Sequence, residues 1–164
     1  FTAEEAWSAR PEGLKTGAGW DADSVHLRQF PEIPSAWRDE ALAAKWAKVR
    51  DVRRVVTGAL ELERANKTIG SSLQASPTVH VDADTHALLD TVPFEDVCIT
   101  SAITVVDSPA PEGAFTLPDV AGVAVVSGLA AGDKCERCWK ILPDVGAVTA
   151  HPGACPRCAD AVGA

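Results

Sequence analysis

The sequence contains no run of the roughly 18 to 20 apolar residues that a membrane span requires, and no basic start followed by an apolar stretch of the kind that directs export. The expectation is a soluble, cytoplasmic chain. There is no Gly-rich phosphate loop and no internal repeat beyond a pair of cysteine motifs. His26, His80 and His86 have no carboxylate or nucleophile at a suggestive spacing, so no catalytic residue is assigned. Residues 71–131 hold eight acidic side chains and no Lys or Arg. That stretch is therefore a poor place to seek contacts with a polyanion. The chain also starts without Met, on Phe1-Thr2-Ala3-Glu4-Glu5-Ala6-Trp7, which reads as the middle of a longer polypeptide.

What is present describes an ordinary globular protein. A chain of 164 residues buries roughly two thirds of its unfolded surface, enough for one core or for a small core with an appended module. Hydrophobic residues make up 46% and charged residues 23%, values that exclude disordered and collagen-like classes. The net charge of −8 argues against indiscriminate nucleic-acid binding. Its distribution is uneven: residues 1–34 carry three basic and six acidic groups, 35–70 eight and five, and 132–164 four and four. One basic segment sits in an acidic protein.

A short helix is expected over Thr2 to Ala9, with Thr2 as N-cap and Glu5 three residues on, as in a capping box. Pro11, Gly13, Gly17 and Gly19 make a loop, and Ser24 to Phe30 precedes a break at Pro31 and Pro34. From Ser35 the apolar residues Leu42, Trp46, Val49, Val52, Val56 and Leu60 recur at spacings of three and four, one stripe of a helix. With Ser35 as N-cap, Lys67 near the C-terminus and Gly70 just beyond, the helix would span about 33 residues and roughly 50 Å. Such length suits a helical bundle. After the Ser-rich residues 71–76, Thr78-Val79-His80-Val81, a helix around Asp84 to Leu89, a β-branched run Val97 to Val106 and an apolar run Val120 to Val126 suggest a small α+β unit. Gly128, Gly132 and Asp133 then form a hinge. The fold class expected is α+β, with a long helix, a small mixed unit over 71–131 and a C-terminal module over 132–164.

That module carries Cys135-x2-Cys138, sixteen intervening residues, and Cys155-x2-Cys158, the spacing of a four-cysteine zinc site. Two residues between ligands let a tight turn aim both sulfurs at one ion, and two such knuckles complete zinc's tetrahedron. Lys134, Arg137, Lys140 and Arg157 lie where they can offset the charge of a four-thiolate centre. Disulfides do not suit a chain without export signals, and no thioredoxin-like βαβ unit surrounds either pair. Iron remains a chemical alternative to zinc with the same ligands. With four protein sulfurs no position stays open, so a single structural Zn2+ is expected, with His151 left outside its shell. Cys98, in an apolar run, is expected to be a buried small hydrophobe.

Several segments together resemble the bacterial type of isoleucyl-tRNA synthetase near its C-terminal end. They are Phe1 to Trp7, Ser24-Val25-His26-Leu27 with Phe30-Pro31, and Arg64-Ala65-Asn66-Lys67-Thr68-Ile69-Gly70-Ser71-Ser72-Leu73-Gln74-Ala75. Lys134-Cys135-Glu136-Arg137-Cys138-Trp139-Lys140, Asp144-Val145-Gly146 and His151-Pro152-Gly153-Ala154-Cys155-Pro156-Arg157-Cys158 are similar to that family's terminal zinc module. The resemblance implies that residues 1–70 end an anticodon-binding helical domain of a class I synthetase, an enzyme that activates isoleucine with ATP and esterifies it to tRNA. The HIGH-type and KMSKS-type motifs and the editing domain are absent from these 164 residues, so the fragment is expected to be non-catalytic. Its implied partners are the isoleucine tRNA, at the anticodon stem-loop, and the rest of the synthetase chain, with a monomer expected and no membrane.

Lys45, Lys48, Arg50, Arg53, Arg54, Arg64 and Lys67 are candidates for phosphate contact, or else a solvated helix face. Arg137, Lys140 and Arg157 join them in the zinc module. Trp139 either stacks on RNA bases or forms the module's miniature core. Two other readings compete: the zinc-finger end of a formamidopyrimidine-type DNA glycosylase, which has closely similar cysteine spacing, and a generic zinc-ribbon interaction module.

Overall fold

The computed structural model describes residues 2–15, 24–28, 30 and 32–163. The chain divides between Glu40 and Ala41 into two units. Phe1, Gly17, Gly19 and Pro31, which figured in the sequence reading, lie outside the described residues.

In the first unit, helix α1 (Thr2–Ser8) buries one face on Trp7 and is followed by short 3-10 turns at Glu12–Leu14, Val25–Leu27 and Ser35–Trp37. The Trp7 indole is covered by the Arg10 guanidinium, 3.3 Å from its centroid, and by Arg28 at 5.4 Å. A guanidinium over an aromatic face is attracted by the ring quadrupole. His26 Nε2 lies 3.6 Å from a Glu4 carboxylate oxygen, a partner that the sequence spacing did not suggest.

The long helix α2 runs Glu40–Ala65, 26 residues and not 33. Both ends differ for local reasons. Ser35 does not cap it, because Ser35–Trp37 closes a 3-10 turn and Arg38 is extended. At the other end Lys67 takes the left-handed conformation, φ 61°, and its N–H bonds to Arg64 O while Thr68 N–H reaches Glu63 O. This is the reversal that usually falls on glycine. Gly70 instead donates its N–H to Gln74 Oε1, within a capping box that Ser71 and Gln74 form around a 3-10 turn at Ser72–Gln74.

Six α2 side chains are buried: Val49, Val52, Val55, Val56, Ala59 and Leu60. Trp46 packs on the edge of this cluster, whereas Leu42 is 49% exposed. The stripe read from the sequence is therefore apolar for longer than the core it covers. The rest of the core comes from a four-stranded sheet and two short helices: β1 (Thr78–His80), α3 (Ala83–Leu89), α4 (Phe94–Cys98), β2 (Thr104–Val106), β3 (Phe115–Leu117) and β4 (Val120–Val126). Sheet order is β2-β1-β4-β3, with β1 parallel to β2 and the other pairs antiparallel. The parallel pair is joined through α3 and α4, as a parallel connection requires. Gly58, in the middle of α2, is explained by packing: a Cβ there would come 2.8 Å from the Phe115 ring.

The run Val97 to Val106 is not mainly strand. Val97 and Cys98 end α4, which Pro93 opens and Glu95 and Asp96 favour in its first turn, and Ile99 stops it at φ 58°. Only Thr104–Val106 is extended in the sheet. Tertiary burial of Phe94 and Cys98 on one side of a short helix overrides β propensity here. The chain is α+β as expected, ending in a hairpin, β5 (Asp133–Lys134) with β6 (Ile141–Leu142), and helix α5 (Pro156–Gly163). No helix among the described residues is long and apolar enough to cross a membrane.

Candidate metal centre

The first cysteine knuckle grows directly from the β5–β6 hairpin. Cys135 N–H bonds to Lys140 O and Trp139 N–H returns to Cys135 O, both at 2.9 Å, which folds Cys135 and Cys138 onto one side of a tight turn. Trp139 pays for that turn with a left-handed backbone, φ 65°. The second knuckle is the start of α5: Cys158 N–H and Ala159 N–H both bond to Cys155 O, and Pro156 occupies the first helical turn, where a missing N–H costs nothing. The two are tied together by Glu136 N–H to Gly153 O at 2.9 Å and by Cys155 N–H to Cys135 Sγ at 3.4 Å.

This brings the four sulfurs of Cys135, Cys138, Cys155 and Cys158 within 4.8 Å of one another. Cys138 and Cys155 Sγ are 3.9 Å apart. A tetrahedral Zn2+ with Zn–S bonds of about 2.3 Å needs sulfurs roughly 3.8 Å apart, so the donor set fits in number, type and spacing. Three of the cysteines are buried, Cys138 is half-buried, and Leu142, Val145 and Ala154 pack around them. The surroundings prepare thiolate. Burial opposes ionisation of Cys135, yet backbone N–H groups of Cys138, Cys155 and Arg137 outweigh it and pull the thiol down to about 6. The Arg137 guanidinium, 3.7 Å from its sulfur, lowers Cys158 as well. Burial pushes Cys155 up, and a cation held among the sulfurs is what favours its thiolate.

The module is latched to the α+β core by three contacts. Lys140 Nζ reaches Asp96 Oδ1 at 2.5 Å, with Arg157 Nη1 4.0 Å from the other oxygen. The ammonium of Lys140 holds the Asp96 carboxyl below its usual range. Ser101 Oγ accepts Ile141 N–H at 2.7 Å and donates to Leu73 O, joining β6, the loop after α2 and the segment before β2. Neither Ser101 nor Asp96 was singled out in the sequence. A serine in a mixed apolar segment carries no motif signal, and the partner of Lys140 lies 44 residues away.

The other side chains singled out fall into three sets. Several cations are engaged within the protein: Arg53 Nε donates to Val97 O, Arg54 pairs with Asp51 and Asp119, and Arg64 with Glu61 and Ser72. Lys48, Arg50 and Lys67 are exposed and Lys45 is half-buried on or just after α2, with Lys48 in the field of Asp82. Trp139 is 61% exposed, so it is not the module's miniature core. Lys134 Nζ lies 5.6 Å from its ring centroid, beside a cleft of about 390 Å³ lined by Gly70, Ser71, Leu73, Gln74 and Ile141. Cys98 is 2% exposed in the main core, where burial pushes its thiol up to about 12. His86 Nε2 meets Val105 O, and its Nδ1 lies 3.5 Å from Asp90, a helical pair that the sequence reading passed over.

Residues 132–161 match a family described as the zinc finger found in FPG and IleRS. The module is thus a structural zinc-binding unit. Over 99% of its length the chain is 52% identical to an isoleucine–tRNA ligase of Agrobacterium fabrum and 53% identical to that of Ruegeria pomeroyi. It is 45% identical, again over 99% of its length, to the isoleucine–tRNA ligase of Bartonella henselae. In each case it spans 16% of the length of the relative.

Proposed function

We propose that this chain, homologous over nearly its whole length to part of bacterial isoleucine–tRNA ligases, is the C-terminal tRNA-binding region of such a class I aminoacyl-tRNA synthetase, held in shape by one zinc. The observation that carries this reading is the identity above 50% across 99% of the chain, upstream segments included. A match confined to the zinc finger would have left the DNA glycosylase reading equally supported.

In this reading residues 1–70 end the anticodon-binding helical domain, 71–131 form the small α+β segment and 132–164 the zinc module. The whole cytoplasmic enzyme, acting as a monomer, activates isoleucine with ATP and joins it to its tRNA. The part described here contributes binding, not chemistry, because a four-sulfur zinc leaves no position for substrate. The anticodon stem-loop is the RNA element assigned to it. An exposed indole beside an ammonium group suits an unstacked base with its phosphate, since stacking serves every base and the cation serves the backbone. Lys45, Lys48, Arg50 and Lys67 are the cations best placed for phosphates, while Arg53, Arg54, Arg64 and Lys140 already have protein partners.

The test is binding of the chain to isoleucine tRNA, to a mismatched tRNA and to duplex DNA at two salt concentrations, with Trp139→Ala alongside. The reading expects preference for the cognate tRNA that survives the higher salt, weakened about tenfold or more by the substitution, the effect of losing one stacked base. Equal binding to all three that vanishes with modest salt would leave only nonspecific attraction and would overturn it.

A further inference from the structure

The cleft of about 390 Å³ beside Trp139 joins the loop that leaves α2 to the first cysteine knuckle. Trp139 is 61% exposed there, on a left-handed backbone of φ 65° whose N–H bonds to Cys135 O. A bulky residue in that conformation is an outlier that the surrounding structure must sustain, and an indole facing water does not stabilise the fold in return. Leu73 and Ile141 give the lining its apolar part, and no Asp or Glu is among the lining residues.

The polar groups of the cleft have a fixed sense. Gln74 closes its capping box with the carbonyl end of the side chain: Oε1 accepts Gly70 N–H at 2.6 Å and Ser71 N–H at 3.1 Å. Two backbone donors settle which end of the carboxamide is oxygen. Nε2 is left on the other side, with no hydrogen-bond partner among the described residues. The second group is Lys134, whose Nζ lies 5.6 Å from the Trp139 ring centroid and has no carboxylate partner among the described residues. Both nitrogens donate and neither accepts.

A flat aromatic wall with two donors at its edge matches a base that offers two adjacent acceptors. Guanine does so through O6 and N7, whereas adenine sets the N6 amino group, a donor, beside its N7. Stacking alone does not tell these two purines apart. We propose that this cleft is a guanine subsite for unpaired RNA, in which the Trp139 indole stacks on the base, Gln74 Nε2 and Lys134 Nζ donate to O6 and N7, and Gln74 sets the specificity. The proposal rests on the RNA-binding reading above and narrows it from any stacked base to one.

The experiment titrates the zinc-loaded, 15N-labelled chain with pentaribonucleotides that carry one guanosine, inosine or adenosine between abasic sugars. Binding is followed by NMR at the Trp139 indole N–H and the Gln74 side-chain amide. Guanosine and inosine share O6 and N7, so they are expected to bind alike and about tenfold more tightly than adenosine, the lower part of what a bidentate base contact discriminates. Gln74→Glu keeps the capping-box acceptor and exchanges the outward donor for an acceptor, so the guanosine-to-adenosine ratio should fall to one or reverse. The added charge meets the same phosphates in every probe and cancels in that ratio, and a urea midpoint near wild type shows that the fold is kept. Trp139→Ala should weaken all three probes. Equal binding of guanosine and adenosine, or a wild-type ratio in Gln74→Glu, overturns the guanine assignment, and the stacking reading survives that result if Trp139→Ala still weakens every probe. Probes that leave the Trp139 and Gln74 signals unmoved overturn both.

Discussion

Ser101→Ala isolates the latch between the zinc module and the α+β core. Ser101 is 3% exposed, its hydroxyl accepts Ile141 N–H at 2.7 Å, and it donates to Leu73 O. Alanine fits the same space and keeps the backbone bond from Ser101 N–H to Ala75 O at 3.2 Å. What disappears is the bond to Leu73 O, worth about 1 kcal/mol net, together with the acceptor for Ile141 N–H. What remains is worse, because the Ile141 amide is left half-buried without its acceptor, a cost of about 1–3 kcal/mol unless water enters. The expected loss is therefore about 2–4 kcal/mol, read as a lower urea midpoint at unchanged slope for the zinc-loaded chain. Amide hydrogen exchange should locate it: Ile141 and β6 lose protection first, while the α2 amides around Val52 and Val56 keep theirs until global unfolding. A change below about 0.5 kcal/mol with the Ile141 amide still protected would refute the assignment of Ser101 as the joint.

Gly132→Ala should destabilise the module by about 2 kcal/mol or more in the same urea assay, since φ is +111° and a Cβ would lie 2.3 Å from the Leu142 carbonyl. Wild-type stability in that variant would show that the hinge relaxes freely. Removing zinc with a chelator, or substituting Cys135→Ser, should unfold residues 134–160 while α2 keeps its helical circular dichroism, because zinc supplies about 10 kcal/mol or more of apparent folding free energy to such modules. A Cys135→Ser protein that keeps both its metal and its module would contradict this. Asp119 is held below the usual carboxylate range first by its hydrogen bond from Arg54. A depressed folded-state pKa stabilises at pH above the unfolded value of about 3.9 and ceases to do so as pH falls through the folded value. The urea-midpoint gap between wild type and Asp119→Asn should accordingly be small at pH 6 and close toward pH 3, and a gap that widens in acid would reverse the sign of the linkage.

The cysteine site was legible because its chemistry is written in local spacing: two x2 turns and a linker, each a short-range feature. The α2 stripe was legible for the same reason, since Val49, Val52, Val56 and Leu60 mark one helix face whatever packs on it. What escaped is non-local. The helix ends depended on Ser35 choosing a 3-10 turn and on Lys67 taking a conformation usually left to glycine, and single residues do not announce either. Val97 and Cys98 look like strand, yet Pro93 and the burial of Phe94 make them helix. Lys140 and Arg157 read as free cations on a string of letters, and only the fold reveals that the Asp96 carboxylate lies against both. Trp139 shows the converse, since its position beside a ligand suggested a miniature core and its exposure excludes one.

X-ray absorption at the zinc edge tests the central claim most directly. The purified chain should contain one zinc per molecule, coordinated by four sulfurs at about 2.3 Å with no nitrogen or oxygen in the first shell. A bound metal with a nitrogen or oxygen ligand, which would reopen the site to chemistry, or a folded module containing no metal, would contradict the account of a closed structural centre.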